Sequence, residues 1–311
     1  MKKAKISIIG SGNVGSQAAY LAAVKGLGDI VLIDVKDGIA KGKALDLFQA
    51  TPLLHSSVNI IGGSNYDLTK DSNVVIVTAG RPRSPGMSRD DLIQVNAAIM
   101  KDIIENVVKY APHCVLIIVT NPLDEMVYLA KKLSKFPKER IIGMAGVLDT
   151  TRFKTFIAQE LKVSVENVSA IVLGGHGDSM VPLPRLTSVG SIPLSELLSS
   201  QKINALIKRT QNGGAEIVEL MGTSAFYAPG AAIIEMVESI LKDQKRILPC
   251  SAELRGEYGQ HNVFVGVPCV LGIRGVEKII QIKLNSLEKK LFMKTVAHVK
   301  SLHKIVDKFV S

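Results

Sequence analysis

The sequence predicts an α/β fold with a doubly wound parallel sheet in its N-terminal domain and a C-terminal α+β domain. Short β-rich apolar runs alternate with longer helical patterns up to about residue 145, which is typical of βαβ units. After residue 146 this rhythm changes to mixed segments. The chain has 311 residues and is 47% hydrophobic, enough for two cores. We therefore expect one domain over residues 1–145 and a second over residues 146–311.

The N-terminal half contains apolar runs that suit strands buried on both faces, as in a parallel sheet. The candidate strands are residues 5–9, 30–34, 58–61, 74–78, 115–120 and 141–144. The helical patterns between them cover residues 15–27, 41–50, 88–110 and 123–136. Ser88, with Asp91 three residues later, is expected to cap the third helix. Ligands of such folds bind at the carboxyl ends of the strands.

The C-terminal half is expected to contain helices and strands in mixed order. The candidate helices are residues 149–161, 195–220, 231–243 and a last helix from about residue 286. The candidate strands are residues 168–173, 185–189, 246–252 and 262–274. The last helix is expected to dock by one apolar face. That face would comprise Leu287, Leu291, Val299, Leu302, Ile305 and Phe309.

The charge balance indicates small anionic ligands rather than a macromolecular polyanion. Lys and Arg outnumber Asp and Glu by 38 to 28, and the formal net charge is +10. This excess is spread along the chain, aromatic residues make up only 5% and Trp is absent, so no stacking platform for nucleic acid is present. No apolar run approaches the ~20 residues that span a bilayer. We expect no nucleic-acid or membrane partner.

The three cysteines, Cys114, Cys250 and Cys269, are widely spaced and form no Cys-x-x-Cys pair. This pattern indicates neither a disulfide framework nor a thiolate metal site. We expect no metal centre and a reducing, cytoplasmic location.

A glycine motif directly after the first predicted strand indicates a dinucleotide site. The segment Gly10-Ser11-Gly12-Asn13-Val14-Gly15 matches G-x-G-x-x-G and opens a predicted helix, whose N-terminus attracts a pyrophosphate. Asp34 ends the second strand about 20 residues beyond Gly15 and can accept hydrogen bonds from ribose hydroxyls. Such a carboxylate would repel a 2′-phosphate. We therefore expect a Rossmann domain that binds NAD rather than NADP.

Residues 81–89 form an arginine-rich loop after the strand predicted at 74–78. Arginine binds carboxylates in a bidentate manner and stays charged whatever its burial. Arg83 and Arg89 therefore favour a ligand with more than one negative group. The alternative is a solvated basic surface loop, and we retain that interpretation for Arg81.

Three further segments place polar side chains next to predicted strand ends. Asn121 follows one strand, and an Asn-Pro turn without ligand is the alternative there. Asp149 and Arg152 share one face of a predicted helix, where a plain ion pair is the alternative. His176 lies between glycines in Gly-Gly-His-Gly-Asp, which leaves the imidazole accessible, although a structural histidine is the usual case.

Taken in order, these motifs resemble the malate/lactate dehydrogenase family over essentially the whole chain, and within it the lactate-dehydrogenase-like malate dehydrogenases. The resemblance implies reversible oxidation of (S)-malate by NAD. It implies that His176 is the proton acceptor and that Asp149 orients its ring. Arg152 would bind the carboxylate beside the reacting carbon, Arg89 would polarise the reacting oxygen, and Arg83 would bind the second carboxylate.

Arg83 distinguishes the two activities of this family. Lactate dehydrogenases carry an uncharged amide at the matching position, so L-lactate dehydrogenase is the alternative function. The remaining cofactor contacts are assigned to Asn96, Val119, Thr120 and Asn121. The resemblance also implies a homotetramer or homodimer.

Overall fold

The structure, a computed structural model, describes residues 3–82 and 88–310. Strands and helices alternate in its N-terminal half. They are β1 (Lys5–Ile9), α1 (Asn13–Val24), β2 (Asp29–Ile33), α2 (Asp37–Ala50), β3 (Ile60–Gly63), β4 (Val74–Val77), α3 (Arg89–Tyr110), β5 (Val115–Ile118), α4 (Leu123–Ser134) and β6 (Ile141–Gly143).

The six strands of this half pair in parallel in the order β3-β2-β1-β4-β5-β6. Both faces of the sheet are covered. Ile8 packs in a core cluster with residues of α1, whereas the next residue, Ile9, packs in a second cluster with α3 and α4. This alternation confirms the doubly wound α/β architecture expected from the apolar runs.

The third strand lies two residues later than its apolar run indicates. It pairs Ile30 with Ile60 and Ile33 with Gly63, so the ladder includes two glycines, which are depleted in strands. A Cβ at Gly62 would lie 2.2 Å from the carbonyl oxygen of Ala40, so glycine allows α2 to pack closely on the strand. The expected cap of α3 is present, because Ser88 and Asp91 form a capping box.

The C-terminal half mixes helices with antiparallel strands. Its elements are α5 (Gly146–Leu161), β7 (Val168–Ser169), β8 (Val172–Gly174), β9 (Met180–Pro182), β10 (Ser188–Val189), β11 (Ile192–Pro193), α6 (Leu194–Leu197), α7 (Ser200–Met221), α8 (Tyr227–Leu241), β12 (Arg246–Arg255), β13 (His261–Gly272), β14 (Gly275–Ile279) and α9 (Ser286–Val306).

The main sheet continues from the first half into the second. Strand β12 pairs with β6 in the antiparallel direction at Ser251 and Gly143, and β13, β8 and β9 follow it, with β14 on β13. Strands β7, β10 and β11 form a separate small sheet. The single strand expected at 168–173 is therefore two strands in different sheets.

The last helix docks by one face, as expected, with Val299 buried and Leu302, Ile305 and Phe309 half-buried against the core, but the first two predicted residues are exposed. Leu287 and Leu291 are 66% and 45% exposed. The buried side chains of α9 are Glu288, Phe292, Thr295, Val296, Val299, His303 and Val306. In the first turns of α9, the buried Glu288 and Phe292 directly follow Leu287 and Leu291 in the sequence, and the polar Thr295 is buried as well. A search for apolar spacing does not predict such positions. Among the described residues, no helix combines the length and apolarity needed to cross a membrane.

Candidate functional site

The glycine motif forms the turn between β1 and α1. Gly10 has a φ of +101°, and a Cβ there would lie 2.6 Å from the nitrogen of Ala79. A Cβ at Gly15 would lie 1.9 Å from the carbonyl oxygen of Gly10. Gly12 differs, because nothing lies within 4 Å of its Cβ position. Two glycines thus allow close packing, and the third faces open space.

This turn fits a dinucleotide phosphate. Helix α1 begins after Gly12 with no side-chain capping hydrogen bond and no acidic residue in its first turn. Its first N–H groups and its dipole are therefore available to an anion that approaches Gly12. Asn13 and Val14 are the first two residues of this helix.

Asp34 follows β2 and holds the glycine turn. Its Oδ2 accepts hydrogen bonds from the main-chain nitrogen of Ser11 at 2.9 Å and from the Ser11 hydroxyl at 3.1 Å. The Lys43 ammonium donates to the Ser11 carbonyl at 2.6 Å and to the Ser16 hydroxyl at 3.1 Å. Lys43 lies on α2, and its spacing from the motif carries no sequence pattern that could have identified it.

Asn96 is buried and joins the base of the arginine loop to the next strand end. Its Oδ1 accepts from the nitrogen of Arg81 at 2.7 Å, and its Nδ2 donates to the carbonyl of Asn121 at 2.6 Å. The chain itself therefore uses the polar atoms of Asn96. Arg83 lies outside the described residues, as does the side chain of Arg89.

The strand end at β5 lies beside that of β4. The hydroxyl of Thr120 is buried and donates to the carbonyl of Ala79 at 2.6 Å. Val119 is half-buried, Asn121 is exposed, and the Asn121–Pro122 peptide bond is cis. The Thr-Asn-Pro segment is thus placed next to the glycine turn, at the carboxyl edge of the parallel strands.

Asp149, Arg152 and His176 meet at the start of α5. The Oδ2 of Asp149 lies 3.0 Å from Nδ1 of His176, and its Oδ1 lies 3.4 Å from the guanidinium of Arg152. Asp149 is 1% exposed, whereas the His176 side chain is 21% exposed. No hydrogen bond from a described residue reaches Nε2 of His176. The ring is therefore held at one nitrogen and accessible at the other.

The surroundings of His176 favour its protonated form. Burial alone lowers the pKa of His176, and Arg152 lowers it further, but the charge and hydrogen bond of Asp149 outweigh both, with a contribution from Asp124. The net pKa is raised above its ordinary value. Burial also lowers the pKa of Arg152, and Asp149 opposes this.

Sequence patterns did not identify two further polar residues beside His176. Asp124, on α4, and Ser251, on β12, are both buried. The Ser251 hydroxyl donates to Asp124 Oδ1 at 2.7 Å, and Asp124 Oδ2 accepts from the main-chain nitrogen of His176 at 3.3 Å. Asn121, Asp124 and His176 line one cleft of about 740 Å³.

Comparisons with known proteins match this architecture over the whole chain. The family model of the lactate/malate dehydrogenase NAD-binding domain matches residues 4–143, and that of the lactate/malate dehydrogenase α/β C-terminal domain matches residues 146–310. A malate dehydrogenase of Roseiflexus castenholzii is 53% identical over 96% of this chain and 96% of its own length.

Solved structures of related proteins have the same fold. The Cryptosporidium parvum malate dehydrogenase is 45% identical with a TM-score of 0.96, covering 99% of this chain and 100% of its own. A lactate dehydrogenase of the same organism, complexed with lactic acid and the dinucleotide, is 40% identical with a TM-score of 0.96 and covers 99% of each chain. The fold is therefore shared by both activities. Both halves of the chain match the family, and the protein belongs to the lactate/malate dehydrogenases.

Proposed function

We propose that this protein is an NAD-dependent malate dehydrogenase that interconverts (S)-malate and oxaloacetate. The observation that carries this proposal is the contact between Nδ1 of His176 and the carboxylate of Asp149. The same carboxylate accepts a hydrogen bond from the Arg152 guanidinium. The malate dehydrogenase identity of a relative at 53% over nearly the whole chain supports it.

His176 exchanges the proton of the reaction. Asp149 holds Nδ1, so Nε2 is the atom that accepts the hydroxyl proton of malate and returns it to the carbonyl oxygen of oxaloacetate. A raised pKa lets His176 carry this proton near neutral pH. Asp149 orients the ring and stabilises its cationic form, as the carboxylate of a catalytic triad does.

The arginines bind the dicarboxylate. Arg152 is largely buried and binds the carboxylate beside the reacting carbon, while Arg89 polarises the reacting oxygen. Arg83 pairs with the far carboxylate. With pyruvate, Arg83 would be left unpaired in the closed site, at a cost of about 3–5 kcal/mol. This favours malate dehydrogenase over the lactate dehydrogenase alternative.

NAD binds at the glycine turn. Gly12 and the start of α1 receive the pyrophosphate, Asp34 binds the ribose hydroxyls, and Val119, Thr120 and Asn121 line the nicotinamide side. When bound, NAD accepts the hydride from the carbon that carries the hydroxyl. We assign Asn96 to holding Arg81 and Asn121 in place, because its amide atoms bond to their main chain.

Three broader features belong to the same proposal. The domain boundary lies between residues 145 and 146. The protein works in the cytoplasm, which suits its three buried free cysteines. It forms a homodimer or homotetramer.

Malate-dependent reduction of NAD, followed at 340 nm, tests the proposed function. We expect turnover with (S)-malate and NAD, and little with (R)-malate or NADP. His176→Asn should lower kcat by at least about 1000-fold, since it removes the proton acceptor. His113→Asn, at an exposed histidine outside the site, is the matched control and should retain activity. A His176→Asn enzyme as active as the control would contradict the proposal.

A further inference from the structure

We propose that Asp124 is a positioning residue that, together with Ser251, fixes the loop carrying His176 in its reactive place. The inference rests on the proposed function, because it assumes that His176 exchanges the proton. Asp124 and Ser251 are 127 residues apart in the sequence. The loop that carries His176 belongs to a third segment, which lies between them in the chain.

The carboxylate of Asp124 bonds to two other parts of the chain. It accepts the Ser251 hydroxyl from β12 on one oxygen and the main-chain N–H of His176 on the other. Asp124 also lies two residues after Pro122, in the first turn of α4. The same short segment thus carries Asn121, proposed to face the substrate, and the acceptor that holds the proton-exchanging residue.

The loop that carries His176 is packed around this carboxylate. A Cβ at Gly175 would lie 3.2 Å from Asp124 Oδ2 and 3.2 Å from Cγ2 of Thr295 on α9. The Thr295 hydroxyl donates to the carbonyl of Ser179 at 2.6 Å. The loop therefore lies between α4 on one side and α9 on the other, and the N–H of His176 points to α4.

Ser251 makes this arrangement rigid. It lies in the one pairing between β12 and β6, opposite Gly143, and it is completely buried. A Cβ added at Gly143 would lie 2.7 Å from the Cβ of Ser251. Because Ser251 belongs to a strand of the main sheet, its hydroxyl ties the Asp124 side chain to that sheet.

Charged groups lie on both sides of this contact, and Asp178, Lys294 and His298 line the same cleft. Burial, and then the neighbouring Glu125, raise the pKa of Asp124 to about 7, whereas the hydrogen bonds from Ser251 and His176 lower it. On the other side of His176 lie Asp149 and Arg152. The Asp124 carboxylate raises the pKa of His176 and Arg152 lowers it. Asp124 thus acts on His176 through position and, when ionised, through charge.

Two variants of Asp124 separate position from charge. Asp124→Ala removes the acceptor, so we expect kcat for keto-acid reduction to fall about 10- to 100-fold while the Kd of NADH is unchanged. Asp124→Asn keeps an oxygen for the His176 N–H, and its amide can donate to the Ser251 hydroxyl oxygen. It should restore kcat to within about threefold of wild type, with the basic limb of the pH profile moved to lower pH.

Ser251→Ala and Ser239→Ala form a matched pair of variants that leaves the Asp124 side chain unaltered. Both serines are completely buried and each hydroxyl donates one hydrogen bond, from Ser239 to the carbonyl of Leu271 at 2.9 Å; the Ser239 hydroxyl also accepts from the main-chain nitrogen of Arg246 at 3.3 Å. Both variants should lose similar stability, but only Ser251→Ala should lower kcat, by about threefold or more. This pair carries the test if Asp124→Ala does not fold.

The proposal would be overturned if Asp124→Ala had wild-type kcat, or if Asp124→Ala and Asp124→Asn lost kcat equally. Equal kcat in Ser251→Ala and Ser239→Ala would also overturn it. The assays use whichever keto acid the wild type reduces best. A wild type inactive with oxaloacetate would contradict the proposed function alone, whereas an Asp124→Ala enzyme with wild-type kcat would contradict only the positioning role.

Discussion

At the scale of single residues, Asp149 determines the protonation of His176. Burial and Arg152 both act against the imidazolium, and Asp149, which is nearly fully buried, is the main group that reverses their effect. In the proposed mechanism, His176 must be protonated to reduce oxaloacetate and neutral to oxidise malate. Reduction should therefore decline as pH rises through the His176 pKa, and oxidation should increase.

Asp149→Asn should move both limbs to lower pH. Without the carboxylate charge, burial and Arg152 lower the pKa of His176, and kcat should also fall about 100-fold or more because the ring tautomer is no longer fixed. The measurement is kcat/KM for oxaloacetate across pH. Asp178→Asn, at an exposed aspartate in the same loop, is the control and should leave the limb in place. An unshifted limb in Asp149→Asn would contradict this assignment.

At the scale of elements, the turn between β1 and α1 assigns different tasks to its glycines. Gly15 is where helix and turn pack closest, since its Cβ position lies 1.9 Å from a main-chain oxygen. Gly12 has an ordinary φ of −66° and open space before it. Gly15 therefore serves close packing, and we propose that Gly12 serves the approach of the cofactor.

Two alanine substitutions should therefore have opposite effects. Gly15→Ala should destabilise the protein by about 1–3 kcal/mol, because the main chain must move. Gly12→Ala should change stability by less than about 0.5 kcal/mol but weaken NADH binding at least about tenfold, because its methyl group occupies the phosphate path. Thermal unfolding and NADH fluorescence titration measure the two effects. The reverse pattern would show that the glycine roles are wrongly assigned.

Local patterns identified the six parallel strands and most helices, but they missed β9, β11 and β14 and did not show where segments break. The helix expected at 195–220 is two helices, because Leu198 leaves the helical region and the Ser199 side chain caps the nitrogen of Lys202. That cap is a readable signal. By contrast, the contact between Asp124 and Ser251 depends on which strands become neighbours in the sheet. No spacing in the sequence encodes it.

At the scale of the whole molecule, α2 is among the helices that leave apolar side chains in solvent. On α2, Leu45 and Phe48 lie three residues apart on one side of the helix and are 57% and 44% exposed. Adjacent exposed apolar side chains mark interaction surfaces. We assign this face to the contact between copies of the chain in the proposed homo-oligomer.

Charge on this face should dissociate the oligomer. The double variant Leu45→Asp and Phe48→Asp buries two carboxylates in the contact, which is strongly unfavourable. Sedimentation velocity should show a dimer or tetramer for wild type and smaller species for the variant. Exposed Leu220→Asp on α7 is the control and should not change the mass. An unchanged mass in the double variant would place the interface elsewhere.

We propose that Arg83 makes this member of the family a malate dehydrogenase. The most direct test is the ratio of kcat/KM for oxaloacetate to kcat/KM for pyruvate, measured with NADH in wild type and in Arg83→Gln. A cost of about 3–5 kcal/mol for unpaired Arg83 predicts a wild-type preference for oxaloacetate of about two to four powers of ten. Arg83→Gln should lower the oxaloacetate value steeply and raise the pyruvate value. The same ratio in both enzymes would contradict the claim.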